Sequence, residues 1–359
     1  MTTIDKFLAE MDKKFGPNAL NELGEGMAEV ETVPTGLTTL DLATGVGGLP
    51  RGRIVEVYGP EGAGKTSVVL KAMAEAQKLA GQMPRLTYKP EDMSLIKPIS
   101  GRVGFIDVEH AFDPSLARVH KVQMGPGSGF HFAQPDSGED ALQMAEIMVN
   151  SGLFDIIAID SVAGLATQTE LDGDIGDQAM AATARLMSQA LKTLTGAIRK
   201  SRTVVIFINQ IREKPAVKFG SPETTPGGRA LKFYSSMRMR VSKGESIMQG
   251  ALQVGHKMGI KVVKNKVAPP YSKTDIDLYY RDTNKGKLTG FDTFVDMLDA
   301  AQEMGIVELG GSQYRFVDRE TGEIHKVTGL VKWQEYLAGQ PNIVAQIEEA
   351  MFRKLVGYE

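Results

Sequence analysis

Between Thr3 and Glu22, Ile4, Phe7, Leu8, Met11 and Phe15 recur at helical spacing, and Asp5, Lys6, Glu10, Asp12 and Lys13 fall elsewhere around the turn. The pattern predicts a short amphipathic helix. Such a helix is unstable alone and needs a surface, either its own core or a neighbouring subunit. Gly24, Gly26, Pro34 and Gly36 then suit a linker. From Arg53 onward, short β-branched runs alternate with helical stretches, the signature of a parallel sheet covered by helices on both faces. Strands are expected at Ile54–Tyr58, Val103–Asp107, Phe130–Ala133, Phe154–Asp160 and Thr203–Asn209. Helices are expected between them, near Lys65–Ala80, Pro114–Lys121, Gly138–Ser151 and Asp177–Lys200. Gln82 to Gly101, with Pro84, Pro90 and Pro98, interrupts the rhythm and reads as a surface insertion. Beyond Phe233, strands are expected near Met237–Val241 and Gly259–Lys264, and Pro269–Pro270 suggests a boundary. These breaks divide the chain into an N-terminal arm (1–33), a large core (34–269) and a small α/β domain (270–359) closing with a helix from Pro341 to Leu355.

Composition narrows the classes. The 359 residues are 42% hydrophobic and 24% charged, and no apolar run approaches the roughly 18 residues that cross a bilayer. Acidic residues in the first segment are wrong for a secretory signal, so a cytoplasmic protein without membrane partners is expected. Zero cysteines exclude disulfides and thiolate chemistry, and the five scattered histidines lack metal-ligand spacing. With a net charge of −3, any contact with nucleic acid must be a local groove.

Gly59, Pro60, Glu61, Gly62, Ala63, Gly64, Lys65, Thr66 and Ser67 form a phosphate-binding loop between an expected strand and an expected helix. Glycines there let backbone N–H groups turn towards a phosphate, the helix N-terminus adds partial positive charge, and Lys65 adds a full one. Thr66 is the expected magnesium ligand, and Asp160, ending the apolar run Ile156-Ile-Ala-Ile, is the acid on the metal side. Glu109 is the candidate base or water-orienting group. Asp107, two residues earlier on the same strand edge, fits a turn acid as well as a functional one.

Val33-Pro-Thr-Gly-Leu-Thr-Thr-Leu-Asp41, Gly47-Gly-Leu-Pro-Arg-Gly-Arg-Ile54, Phe105-Ile-Asp-Val-Glu-His-Ala-Phe-Asp113, Glu170-Leu-Asp-Gly-Asp-Ile-Gly-Asp177, Phe207-Ile-Asn-Gln-Ile-Arg212 and Gly220-Ser-Pro-Glu-Thr-Thr-Pro-Gly-Gly228 resemble, in order, the bacterial RecA-type recombinases. The resemblance runs from about Gly16 to Lys266, with a weaker echo to the C-terminus, and implies a divergent member. It implies a RecA-like P-loop NTPase core with a mostly parallel central sheet, an N-terminal helix arm for oligomerisation and a small C-terminal α/β domain. The implied activity is ATP- and magnesium-dependent strand exchange for DNA recombination and repair. A helical filament on single-stranded DNA would pair with double-stranded DNA and hydrolyse ATP when DNA is bound.

The resemblance also implies residue roles. Gln210 would sense the γ-phosphate and relay it to the following loop, and Lys264 and Lys266 would reach the nucleotide of the adjacent protomer. Asp113 would belong to the nucleotide pocket, where Leu116 stands in place of the family's common stacking aromatic residue. Two loops, near Thr167–Ala179 and Arg212–Arg229, would hold DNA. Arg185, Arg212 and Arg229 would neutralise phosphates, Gly227 and Gly228 would approach a backbone, and Met180 and Val217 would wedge between bases. A ring-forming motor of the same core and a non-catalytic mediator stay open beside this reading; they differ in assembly shape and in DNA-stimulated phosphate release.

Overall fold

The computed structural model describes residues 3–15, 30–172, 180–213, 223–284, 286–319 and 321–357. Its centre is a nine-stranded sheet. In chain order the strands are β1 (Ile54–Gly59), β2 (Val103–Asp107), β3 (Phe130–Ala133), β4 (Ile156–Asp160), β5 (Val204–Gln210), β6 (Met237–Gln249), β7 (Leu252–Asn265), β8 (Lys273–Tyr279) and β9 (Gly290–Phe291). In space they run β9-β8-β7-β6-β1-β5-β4-β2-β3, parallel from β6 to β3 and antiparallel from β6 to β9. The uninterrupted apolar runs of β4 and β5 follow from burial on both faces: Ile156 to Ile159 and Val204 to Ile208 are all buried.

Helix α1 is Thr3–Phe15; α2 (Lys65–Lys78), α3 (Pro114–Val119), α4 (Gly138–Ser151) and α5 (Met180–Ser201) cover the sheet. One core cluster joins α2 to its side of the sheet through Val68, Val69, Ala72 and Met73. The other joins α4 and α5 through Leu142, Ala145, Leu191 and Leu194. A parallel sheet covered in this way leaves the carboxyl ends of its strands as the place for a ligand.

The C-terminal unit packs α6 (Thr293–Glu303), α7 (Leu330–Ala338), α8 (Pro341–Val356) and a three-stranded antiparallel sheet around Trp333, Leu298 and Ile347. Thr39 ties it to the core by donating its backbone N–H to Asp296 Oδ2 at 3.2 Å.

Two local expectations are revised and a third gains detail. The strands beyond Phe233 are far longer than expected and form one hairpin turning at Gly250 (φ 63°). Its polar run Ser242–Glu245 and its register shifts break the alternation that marks a strand. β8 continues the central sheet beyond Pro269–Pro270, so we set the core boundary after Phe291; the prolines mark only the β7–β8 turn. The 82–101 insertion is tied down. Its Arg85–Leu86 segment pairs with Glu31–Thr32, and its base is fixed where the Ser100 and Gly101 N–H groups each donate to Asp155 at 2.8 Å.

Ile4 and Phe7 of α1 are 54% and 47% exposed and Leu8 and Met11 are half-buried, so part of the apolar face read from the sequence is uncovered among the described residues.

Candidate nucleotide site and DNA-facing loops

β1 delivers the phosphate loop and α2 receives it. Gly62 and Gly64 adopt positive φ (67° and 95°), and a Cβ at Gly64 would meet Met258 Sδ at 2.8 Å, so the residue type is set by backbone shape and by packing. Gly59 is constrained differently: a Cβ there would sit 2.2 Å from the Val241 carbonyl oxygen. Ala63 and Ser67 are buried, whereas Pro60 and Glu61 are exposed at the mouth.

The strand ends bring the expected groups together. Lys65 donates from Nζ to the Pro60 carbonyl at 2.8 Å, and burial lowers its pKa while Asp160, Glu109 and Glu61 oppose that shift. Thr66 donates from Oγ1 to Asp160 Oδ2 at 2.8 Å. Burial raises the Asp160 carboxyl to about 6, Glu109 and Asp107 push it the same way, and the Thr66 bond opposes them. Glu109 Oε1 accepts from Gln210 Nε2 at 3.0 Å and from the Ser161 hydroxyl. Asp107 is buried and lines the same cavity as Glu109, accepting from the Phe112 N–H at 3.0 Å and from Gln134 Nε2 at 2.9 Å. It shapes the loop that carries Glu109.

A cavity of 220 Å³ contains Lys65, Thr66, Asp160, Glu109 and Gln210. It meets a second of 460 Å³ that shares Lys65, Thr66, Asp113 and Leu116 and adds Tyr279, Tyr280 and Gly290. Asp113 lines both while capping α3, its carboxylate accepting from the Ser115 N–H at 2.7 Å.

These residues fit a triphosphate and magnesium. The loop gives N–H donors and an ammonium for phosphate, and Asp160 is a carboxylate crowded by like charge that a cation would relieve. No cluster of three or more metal-holding side chains exists among the described residues.

Tyr279, Tyr280 and Gly290 were missed in the sequence because no motif marks them. The only signal was alternation in Thr274-Asp-Ile-Asp-Leu278, buried at Thr274, Ile276 and Leu278, within a segment assigned to the next domain. Tyr280 is itself fixed from below by a hydrogen bond between its hydroxyl and His256 Nδ1.

Lys264 and Lys266 do not approach the phosphate loop of their own chain. Lys264 pairs with Arg238, which is level with Glu56 on β1, several residues before the loop. The Lys264 ammonium donates to the Lys232 and Phe233 carbonyls at 2.5 and 3.1 Å, and Lys266 donates to Phe233 at 3.3 Å.

The second loop is closed at its base by Arg212–Glu213 pairing antiparallel with Glu223–Thr224. Arg240 clamps its exit through two bonds to Glu223, at 2.8 and 2.5 Å. Arg185, Arg212, Gly228 and Arg229 are exposed around this base. Gly227 is buried with φ 81°, and a Cβ there would meet Val162 Cγ1 at 2.7 Å, so backbone shape and packing both constrain it and only Gly228 of the pair is exposed. Val217 and the side chain of Met180 lie outside the described residues. Among the described residues no helix is long and apolar enough to cross a membrane.

The chain matches the family described as RecA N-terminal domain over residues 2–87 and 87–285. It is 44% identical to Protein RecA of Ruminococcus albus over 346 residues, covering 96% of this chain and 78% of that protein. It is 44% identical to Protein RecA of Heliobacterium modesticaldum over 350 residues, covering 97% of this chain and 91% of the relative. Protein RecA of Bacillus subtilis is 43% identical over 347 residues, with 96% and 90% covered. With the phosphate loop, the Thr66–Asp160 pair and the Glu109–Gln210 contact on one doubly covered sheet, and with identity along nearly the whole length, this chain belongs to the RecA family.

Proposed function

We propose that the chain is an ATP-dependent homologous recombinase that assembles on single-stranded DNA, pairs it with a duplex and exchanges strands, hydrolysing ATP when DNA is bound. The observation that carries this reading is the Gln210–Glu109 bond at the end of β5, because Gln210 stands two residues from Arg212, where the second loop begins.

Lys65 and the loop N–H groups bind and orient the phosphates. Magnesium, held by Thr66 and Asp160 together with phosphate oxygens, would neutralise charge on the phosphates when bound. Glu109 accepts a proton from, or orients, the attacking water, and its ties to Ser161 and Gln210 hold it at the mouth of the small cavity. A γ-phosphate competes for the Gln210 amide. Gln210 then exchanges partners, and the shift passes from the end of β5 to Arg212 and the base of the loop.

Arg185, Arg212 and Arg229 meet DNA phosphates, Gly228 lets the backbone approach, and Met180 and Val217 separate bases. Lys264 and Lys266 act on the ATP of the adjacent protomer, so only an assembled helical filament completes the site. The uncovered face of α1 docks on a neighbouring subunit. The arm (1–33) and the core thus serve assembly and ATP and DNA binding, in a cytoplasmic protein.

A three-strand exchange assay with circular single-stranded DNA and homologous linear duplex tests the whole. Joint molecules should form with ATP and magnesium and fail with Lys65→Ala. Folded protein that forms none with the wild-type sequence refutes the proposal.

A further inference from the structure

A basic cavity of 780 Å³ lies where the core meets the C-terminal unit, beside the large cavity of the nucleotide site. Lys71 of α2, Arg118 of α3, His120 and Lys121 just beyond it, and Lys287 from the β8–β9 connection line it. Asp292, the one carboxylate among the described residues that line it, pairs with Lys287, and Lys71 Nζ lies 3.7 Å from Glu75. Arg118 and Lys121 are exposed, and neither has an ion-pair partner among the described residues. Positive charge therefore exceeds negative charge in a concave site, in a chain that is net negative.

His120 is 3% exposed, and its Nε2 has no hydrogen-bond partner among the described residues. It lines both this cavity and the 460 Å³ nucleotide cavity, with Val119 and Thr289 as the other shared walls. A buried polar atom without a partner is costly, and this one is inaccessible in the ligand-free protein. Burial and the Lys71 charge hold the imidazole at about 4, so near neutral pH it is an uncharged ring able to donate or accept one hydrogen bond.

We propose that this cavity is a second anion site that takes a small polyphosphate, either free or as the phosphate chain of a second nucleotide. Lys71, Arg118, Lys121 and Lys287 bind the oxygens. A small ligand fits better than duplex backbone, because the cations converge from separate elements on one hollow of ligand-sized volume, whereas a duplex needs phosphate contacts spread along a track. Through the shared wall, occupancy alters nucleotide affinity and nucleotide alters occupancy by the same factor. That coupling rests on reading the neighbouring cavity as the nucleotide site; the anion site itself does not.

The test is calorimetric titration of the full chain with sodium pyrophosphate. Lys65→Ala removes the phosphate loop's ammonium and should still bind pyrophosphate. The Arg118→Glu/Lys121→Glu variant, altered only at exposed positions, should keep its thermal midpoint without ligand and lose about tenfold or more in affinity when made in the Lys65→Ala background. Binding that disappears with Lys65→Ala, or persists undiminished after the double substitution, overturns the site. A short DNA duplex is the second arm. If the duplex binds through Arg118 and Lys121 and pyrophosphate does not, the small-ligand assignment is wrong.

Discussion

Replacing Asp160 by Asn should stabilise the nucleotide-free protein at neutral pH while abolishing its ATPase. Burial, with Glu109 and Asp107 close by, raises this carboxyl from 3.8 to about 6. For a group whose folded pKa is raised, the folded chain holds a proton that the unfolded chain has already released. Its stabilising contribution is complete below pH 3.8 and is lost as pH rises through 6. At about 1.4 kcal/mol for each pH unit, ionised Asp160 costs the folded state on the order of 2–3 kcal/mol above pH 7. Asn carries no charge, and its amide oxygen can still accept the Thr66 hydrogen bond, so Asp160→Asn recovers that amount. Urea unfolding of both proteins without nucleotide, from pH 4 to 8, reads the difference directly. The two should converge near pH 4 and separate as pH rises, with Asn the more stable. An Asn variant less stable at pH 7.5, or a difference independent of pH, refutes the argument that like-charge crowding and burial keep this acid ready for a cation.

Glu109→Gln should leave nucleotide binding intact and lower DNA-stimulated hydrolysis by roughly 10²–10⁴-fold, measured by phosphate release against nucleotide affinity. Lys264→Ala should also bind nucleotide normally, because its ammonium contacts only Lys232 and Phe233 in its own chain. If it serves the adjacent protomer, mixing Lys264→Ala with Glu109→Gln protein restores part of the hydrolysis that each lacks alone; strict additivity of two inactive proteins speaks against a shared site. Gly59→Ala places a Cβ 2.2 Å from a backbone oxygen and should cost about 3 kcal/mol or more, read from denaturant midpoints. Arg240→Met should cost up to about 1 kcal/mol through its half-exposed pair with Glu223 and should weaken DNA stimulation more than basal ATPase.

What the sequence made legible and what it hid follow from the range of the interactions involved. The phosphate loop is local: Gly62, Gly64, Lys65 and Thr66 act within one turn between a strand and a helix, so spacing alone places them. Asp160 ends an apolar strand and Glu109 follows the end of another, and a parallel sheet aligns such ends, so two separate segments could be assigned to one edge before any contact was seen, whereas Gln210 came only from the resemblance. Tyr279 and Tyr280 obey no such rule. They reach the cavity because β8 joins the sheet through β7 and β7 through β6, a chain of antiparallel pairings fixed by cross-strand partners far apart in sequence. Two prolines in the β7–β8 turn mimicked a domain boundary and pushed that strand outside the expected core. Gly227 failed in the opposite direction. A glycine pair in a loop near arginines reads as room for a DNA backbone, yet one member is buried against Val162 on a neighbouring segment. Motifs thus report groups held by their own backbone, while the wall of the 460 Å³ cavity and the packing beneath the loops depend on residues brought together only once the sheet is complete.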